Sequence, residues 1–226
     1  AAPLPMLGTT LATALVAAAG TPQQRDALIP GLADGSVRAA IASPDAATIT
    51  ADGASLNGVV ADILDAPAAT LLLLRGTQVG QPVWIALPAA AAGVTITPTG
   101  LADSTRSLGT VTLANVALAD AQILTGDCGP GLDDALLRVA AIALAADSLG
   151  GGNAVLAATI DYMGTREQFG RVIGSFQALK HRVADHKAAL ESARGLVEHA
   201  ATLPADAPGA LLACLLYTSP SPRDRG

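Results

Sequence analysis

The spacing of apolar positions along this chain changes twice, and the changes divide it into three regions. Up to about Asp34 the pattern is helical. Thr9-Thr10 is expected to cap a helix over Leu11 to Ala19, which Gly20 closes. Thr21-Pro22 then predicts a second helix, with threonine at the N-cap and proline in the first turn. Its apolar side is Ala27, Leu28 and Leu32. Pro30 is expected to end or bend it, and Gly35 to turn the chain. From Val37 to about Leu124 the runs shorten to Val37–Ala42, Leu71–Leu74, Val83–Leu87, Val94–Ile96 and Val111–Val116. Gly, Pro, Asp and Asn separate them, as in an antiparallel β domain, and Trp84 reads as strand packing.

After Gly129-Pro130-Gly131 the helical period returns, from Leu132 to about Met163, with Leu136, Ala140, Leu144, Leu149 and Leu156 as its stripe. Gly150-Gly151-Gly152 would cost roughly 1 kcal/mol per glycine in an isolated helix, so the run predicts close approach of a neighbouring backbone or a ligand. A last helix is expected from about Ser175 to Ala201, with Lys187 and Glu191 paired on its polar face. The fold class is therefore α+β. Residues 1–36 form a helical segment, 37–126 an antiparallel β domain, and 127–213 part of a helical bundle.

Composition narrows the function. The net charge of −6 argues against a nucleic-acid face, which needs clustered Lys and Arg. Cys128 and Cys214 do not amount to a disulfide framework. Leu11–Ala19 is too short to span a bilayer and has no preceding Lys or Arg, so no signal peptide or membrane span is read there, and the protein is expected in the cytoplasm. His181, His186 and His199 share one helix without the further ligands a metal site needs. Asp133 and Asp134, at a helix start, are read as serving the helix dipole rather than as a catalytic pair. Asp147 falls within an apolar stretch and is a candidate for burial.

Both ends look non-native. The chain opens on Ala1, already in helix-like sequence. From Cys214 to Asp224 it matches, residue for residue, one reading frame of a transposase-type sequencing adapter. A natural Ser/Pro-rich disordered tail is the alternative. Residues 214–226 are accordingly set apart as a non-native tail, and the chain is read as a fragment.

The most specific chemistry lies between the last two helices, in Thr165-Arg166-Glu167-Gln168-Phe169-Gly170-Arg171-Val172-Ile173-Gly174-Ser175-Phe176-Gln177. An arginine in a short helix-to-helix junction can fork onto a phosphate through two parallel hydrogen bonds. The bland alternative is that Arg166 caps the preceding helix and Phe169 fills core. The segment resembles the flavin-contact motif of the acyl-CoA dehydrogenase family. Leu101-Ala102-Asp103-Ser104-Thr105-Arg106 with Val111–Val116 resembles the closing strands of that family's β domain. The resemblance covers nearly all of the chain up to residue 213 but only about the middle half of a full-length member.

That resemblance implies an FAD-dependent α,β-dehydrogenation of an acyl-CoA thioester, in which a carboxylate takes the α-proton and the β-hydrogen passes to the flavin. It assigns Arg166 to the FAD pyrophosphate of a neighbouring subunit, places Phe169 and Gln177 against the same cofactor, and implies a homo- or hetero-oligomer. The chain departs from the pattern in two places. No Glu lies near Ala140, where some members carry the base, so the catalytic residue is unassigned. Ser43-Pro44-Asp45 stands where a Thr-Glu-Pro-containing flavin loop is expected. An alternative function follows: a non-catalytic partner subunit that completes the FAD site of a hetero-oligomeric dehydrogenase.

Overall fold

The computed structural model describes residues 6–43, 49–52, 54–103, 105–126 and 130–203. Their contacts divide the chain into two compact units, residues 2–137 and residues from 138 onward.

The first unit begins with α1 (Met6–Ala19) and α2 (Pro22–Asp34). Helix α1 starts ahead of Thr9-Thr10, so those threonines lie inside it rather than at its cap; Thr13 Oγ1 donates back to the Thr9 carbonyl at 2.8 Å. Packing sets this start: a Cβ at Gly8 would come within 2.6 Å of the Ala39 carbonyl oxygen. The start of α2 is as expected. Thr21 Oγ1 accepts from Gln24 N, Gln24 Oε1 accepts from Thr21 N, and Pro22 occupies the first turn. Pro30 does not end this helix, which continues to Asp34 and turns at Gly35. Both Pro30 and Asp26 are exposed, so water can satisfy the carbonyl that the proline leaves without a donor.

Eight strands follow: β1 (Ala39–Ile41), β2 (Ile49–Asp52), β3 (Ser55–Leu64), β4 (Leu71–Gln78), β5 (Gln81–Pro88), β6 (Val94–Thr99), β7 (Leu108–Ala117) and β8 (Gln122–Leu124). They form one sheet in the order β6-β7-β3-β2-β4-β5-β8, with β1 also on β4. Most pairings are antiparallel; β1 and β2 run parallel to β4, one after the other, Ile41 opposite Leu73 and Ile49 opposite Gly76. Alternation along β4 and β5 sends Leu72, Leu74, Ile85 and Leu87 into a core with Leu56, Val60, Val111 and Leu113. Leu73, Arg75, Trp84 and Ala86 fall on the opposite face and are buried as well. Burial on both faces explains why β4 reads as an unbroken apolar run.

Helix α3 (Pro130–Thr165) starts in the first unit and continues through the second, which also holds α4 (Gln177–Thr202). By length and composition alone Gly131–Thr165 is apolar enough to cross a membrane, a test that sequence reading had put only to Leu11–Ala19. Its small residues serve helix packing: a Cβ at Gly152 would lie 2.9 Å from Leu190 Cδ2 of α4, whereas Gly150 and Gly151 meet nothing. Asp147 is exposed rather than buried. The Lys187–Glu191 pair is present at 2.6 Å, and Arg194 joins Glu191 at 3.3 Å. Pro44, Asp45, Cys128 and the segment from residue 204 lie outside the described residues.

Candidate functional site

The junction between α3 and α4 is a tight hairpin. Thr165 ends α3, Arg166 N still donating to the Tyr162 carbonyl at 2.9 Å. β9 (Glu167–Gln168) and β10 (Arg171–Val172) then pair antiparallel around Phe169-Gly170. Both turn residues have positive φ, 55° at Phe169 and 76° at Gly170, the conformation whose twist suits a two-residue hairpin. Glycine adopts it freely, but a phenylalanine there is strained, by about 1–2 kcal/mol. The ladder extends one step further, Ile173 N donating to the Arg166 carbonyl at 2.8 Å. A 3₁₀ turn over Ile173–Ser175 folds back on α3: a Cβ at Gly174 would sit 2.8 Å from the Met163 carbonyl oxygen. Gln177 opens α4.

This geometry presents all three residues singled out from the sequence, Arg166, Phe169 and Gln177, to solvent. Phe169 is 92% exposed, with only its edge-on contact to Phe176, ring centroids 6.1 Å apart. It does not fill core. Among the described residues the Arg166 guanidinium donates to no α3 carbonyl and pairs with no carboxylate, so it does not act as a helix cap either. Arg171, beside them, stacks on Phe176, its guanidinium carbon 4.2 Å from the ring centroid. An exposed ring held at a strained turn, with unengaged guanidinium donors next to it, suits a ligand carrying an anion and a flat surface.

A second cluster, within the first unit, was missed from the sequence. Arg75, 4% exposed, donates through Nη2 to Asp133 Oδ2 at 2.5 Å, and Trp84 Nε1 donates to Asp133 Oδ1 at 3.0 Å. Arg75 and Trp84 are directly opposed in the β4–β5 register, with the guanidinium carbon 5.4 Å from the indole centroid. Asp133 thus sits in the first turn of α3, as expected, but its carboxylate also fastens that turn to the sheet. Asp134 is exposed. Two signals in the sequence pointed here: a charge closing the Leu71–Leu74 run needs a buried partner, and a buried indole N–H needs an acceptor.

Two further features complete the survey. An open groove of about 560 Å³ runs between α3 and α4, lined by Leu149, Gly152, Leu156, His186, Leu190 and others. The three glutamates, Glu167, Glu191 and Glu198, are all exposed, and Ala140 has none beside it in sequence. Among the described residues no three His, Cys, Asp or Glu side chains gather as metal ligands would.

A family model described as the acyl-CoA dehydrogenase C-terminal domain matches residues 131–215, a span that takes in α3, the hairpin and α4. The acyl-CoA dehydrogenase IpdE2 of Mycobacterium tuberculosis is 36% identical over 203 residues, covering 89% of this chain and 52% of the relative. The chain belongs to the acyl-CoA dehydrogenase family. IpdE2 of Mycolicibacterium smegmatis is 32% identical, over 92% of this chain and 55% of the relative. Among solved structures, the Tcur3481-Tcur3483 steroid ACAD superposes with a TM-score of 0.79 at 32% identity, over 96% of this chain and 62% of that one. Butyryl-CoA dehydrogenase from Megasphaera elsdenii matches with a TM-score of 0.80 at 22% identity, over 93% of this chain and 61% of that one, a likeness of fold. The chain spans about half the length of the curated relatives it matches.

FAD is the cofactor the family implies. The donor set at the hairpin fits it: Arg166 and Arg171 offer planar forks suited to a diphosphate, and Phe169 an exposed ring suited to an aromatic surface.

Proposed function

We propose that this chain belongs to a cytoplasmic acyl-CoA dehydrogenase that oxidises an acyl-CoA thioester at its α,β bond with FAD, and that Arg166, Phe169 and Gln177 contact an FAD shared across a subunit interface. The observation that carries this reading is the α3–α4 hairpin, with Phe169 exposed at positive φ and the Arg166 guanidinium unengaged beside it. When bound, the flavin would supply the oxidising power. This chain's residues bind and orient it: Arg166 takes the diphosphate, Phe169 covers an apolar surface, and Gln177 offers an amide that can donate and accept. The 32% identity to a steroid ACAD supports a steroid-linked acyl group as substrate.

Purified protein from the complete reading frame should show a bound-flavin absorption spectrum that bleaches when an acyl-CoA is added. A protein that never binds flavin would defeat the reading.

A second reading is favoured by the glutamates, all of them exposed and none near Ala140. In that reading the chain belongs to a partner subunit that completes an FAD site without supplying the base. It predicts a colourless protein that acquires flavin only when co-expressed with a related subunit.

A further inference from the structure

We infer that Arg171 is a second anion-binding residue of the hairpin, acting with Arg166 to hold the diphosphate of a dinucleotide; this rests on the flavin reading above. The ladder register places it. Gln168 opposes Arg171 and Glu167 opposes Val172, and the Ile173 N to Arg166 carbonyl bond continues the pairing one step. Side chains alternate across an antiparallel ladder, so Arg166, Gln168, Arg171 and Ile173 share one face and Glu167 points to the other. Arg166 and Arg171 are diagonal neighbours on that face, a relation that puts Cβ atoms about 7–8 Å apart.

Two like charges on one small face repel unless an anion lies between them, and that face carries no carboxylate of its own. Neither guanidinium has a hydrogen-bonded or ion-paired partner among the described residues. Arg171 is nonetheless held in place. Its guanidinium lies over Phe176, and Phe176 is braced edge-on by Phe169. The stack occupies the π face and leaves the in-plane N–H donors outward, so less side-chain freedom is lost when an anion binds. Phe176, which is half-buried, is therefore a positioning residue for Arg171.

The test is equilibrium titration of the flavin-free full-length protein with FAD and, separately, with riboflavin, which has no phosphate. Arg171→Ala should weaken FAD binding about tenfold, the loss of one charge-assisted contact, and leave riboflavin binding unchanged. Arg171→Lys should fall between, keeping the charge without the fork. Phe176→Leu should weaken FAD about threefold through loss of the stack. An Arg171→Ala protein that binds FAD as wild type does, while Arg166→Ala does not, would overturn the inference and leave the flavin reading standing. Equal losses for FAD and riboflavin would also overturn it, as a defect of folding. If Arg171→Ala cannot be purified folded, the Lys and Leu variants decide on the same criterion. A wild-type protein that binds neither flavin would remove this inference and the flavin reading together.

Discussion

The sheet and the helical hairpin hold themselves together in different ways. In the first unit buried side chains line both faces of the sheet, from Leu72, Leu74, Ile85 and Leu87 on one side to Leu73, Arg75 and Trp84 on the other. In the second unit only Leu156, Met163 and Ala200 are buried among the described residues, while Leu144, Val155, Ile160 and Tyr162 of α3 are exposed. Hydrophobic stabilisation follows buried area, so residues 6–137 have the means to fold on their own and the α3–α4 pair has an apolar surface still to cover. The candidate site lies on the second unit. Its residues are exposed because ligand contact, not core packing, is what they are suited to.

The sharpest way to break this contrast is a pair of core truncations. Leu72→Ala, at a fully buried position, should cost about 3–5 kcal/mol, and Leu156→Ala about 1 kcal/mol or less. Urea unfolding can follow the first through Trp84 fluorescence and the second through helical circular dichroism. Equal costs would erase the distinction. Next in size is the buried ion pair. Asp133→Ala should destabilise the first unit by about 3 kcal/mol, since it strands a cation that is 4% exposed, and should shift Trp84 emission; Asp134→Ala should do neither.

A smaller effect compares two turns. Val79 and Phe169 each precede a glycine at positive φ, 51° and 55°, and are 93% and 92% exposed. Asparagine tolerates that conformation, so Val79→Asn and Phe169→Asn should each stabilise by about 0.5–1 kcal/mol in thermal unfolding. Only Phe169→Asn should also weaken flavin binding. The smallest effect is pH-dependent. Hydrogen bonding from Lys187, with the positive charges of Arg194 and Lys187, holds the Glu191 carboxyl below its ordinary value of 4.5. Its contribution to α4 is therefore complete above pH 4.5 and is lost as pH falls through the lowered value. Helical circular dichroism should decline over that window, and Glu191→Gln should remove the part due to this residue.

Much of the fold was legible. The apolar runs located β1, β4, β5, β6 and β7, and the Thr21-Pro22 pair located α2 with its cap. Strand β3 was not, because its alternation is broken by register shifts after Leu56 and Val60 and by Asp62 at positive φ. Strands β2 and β8 are too short to carry a pattern. At the candidate site, spacing alone left Arg166 between a cap and a phosphate ligand. Only the resemblance of the whole segment chose between them. The Arg75–Asp133 bond joins residues 58 positions apart, and a tie of that length leaves no periodic trace in a sequence.

The two strands laid in series along β4 have a consequence for how such a chain can diverge. β1 is registered by Leu71, Leu72 and Leu73, and β2 independently by Gly76, Thr77 and Gln78. Residues 42–48 are thus set against only Leu74 and Arg75, and neither strand depends on them for its alignment. Evolution can rewrite or resize that stretch without sliding the sheet, and it is where Ser43-Pro44-Asp45 stands in place of the expected flavin loop. Substrate preference can drift there at little risk to the scaffold.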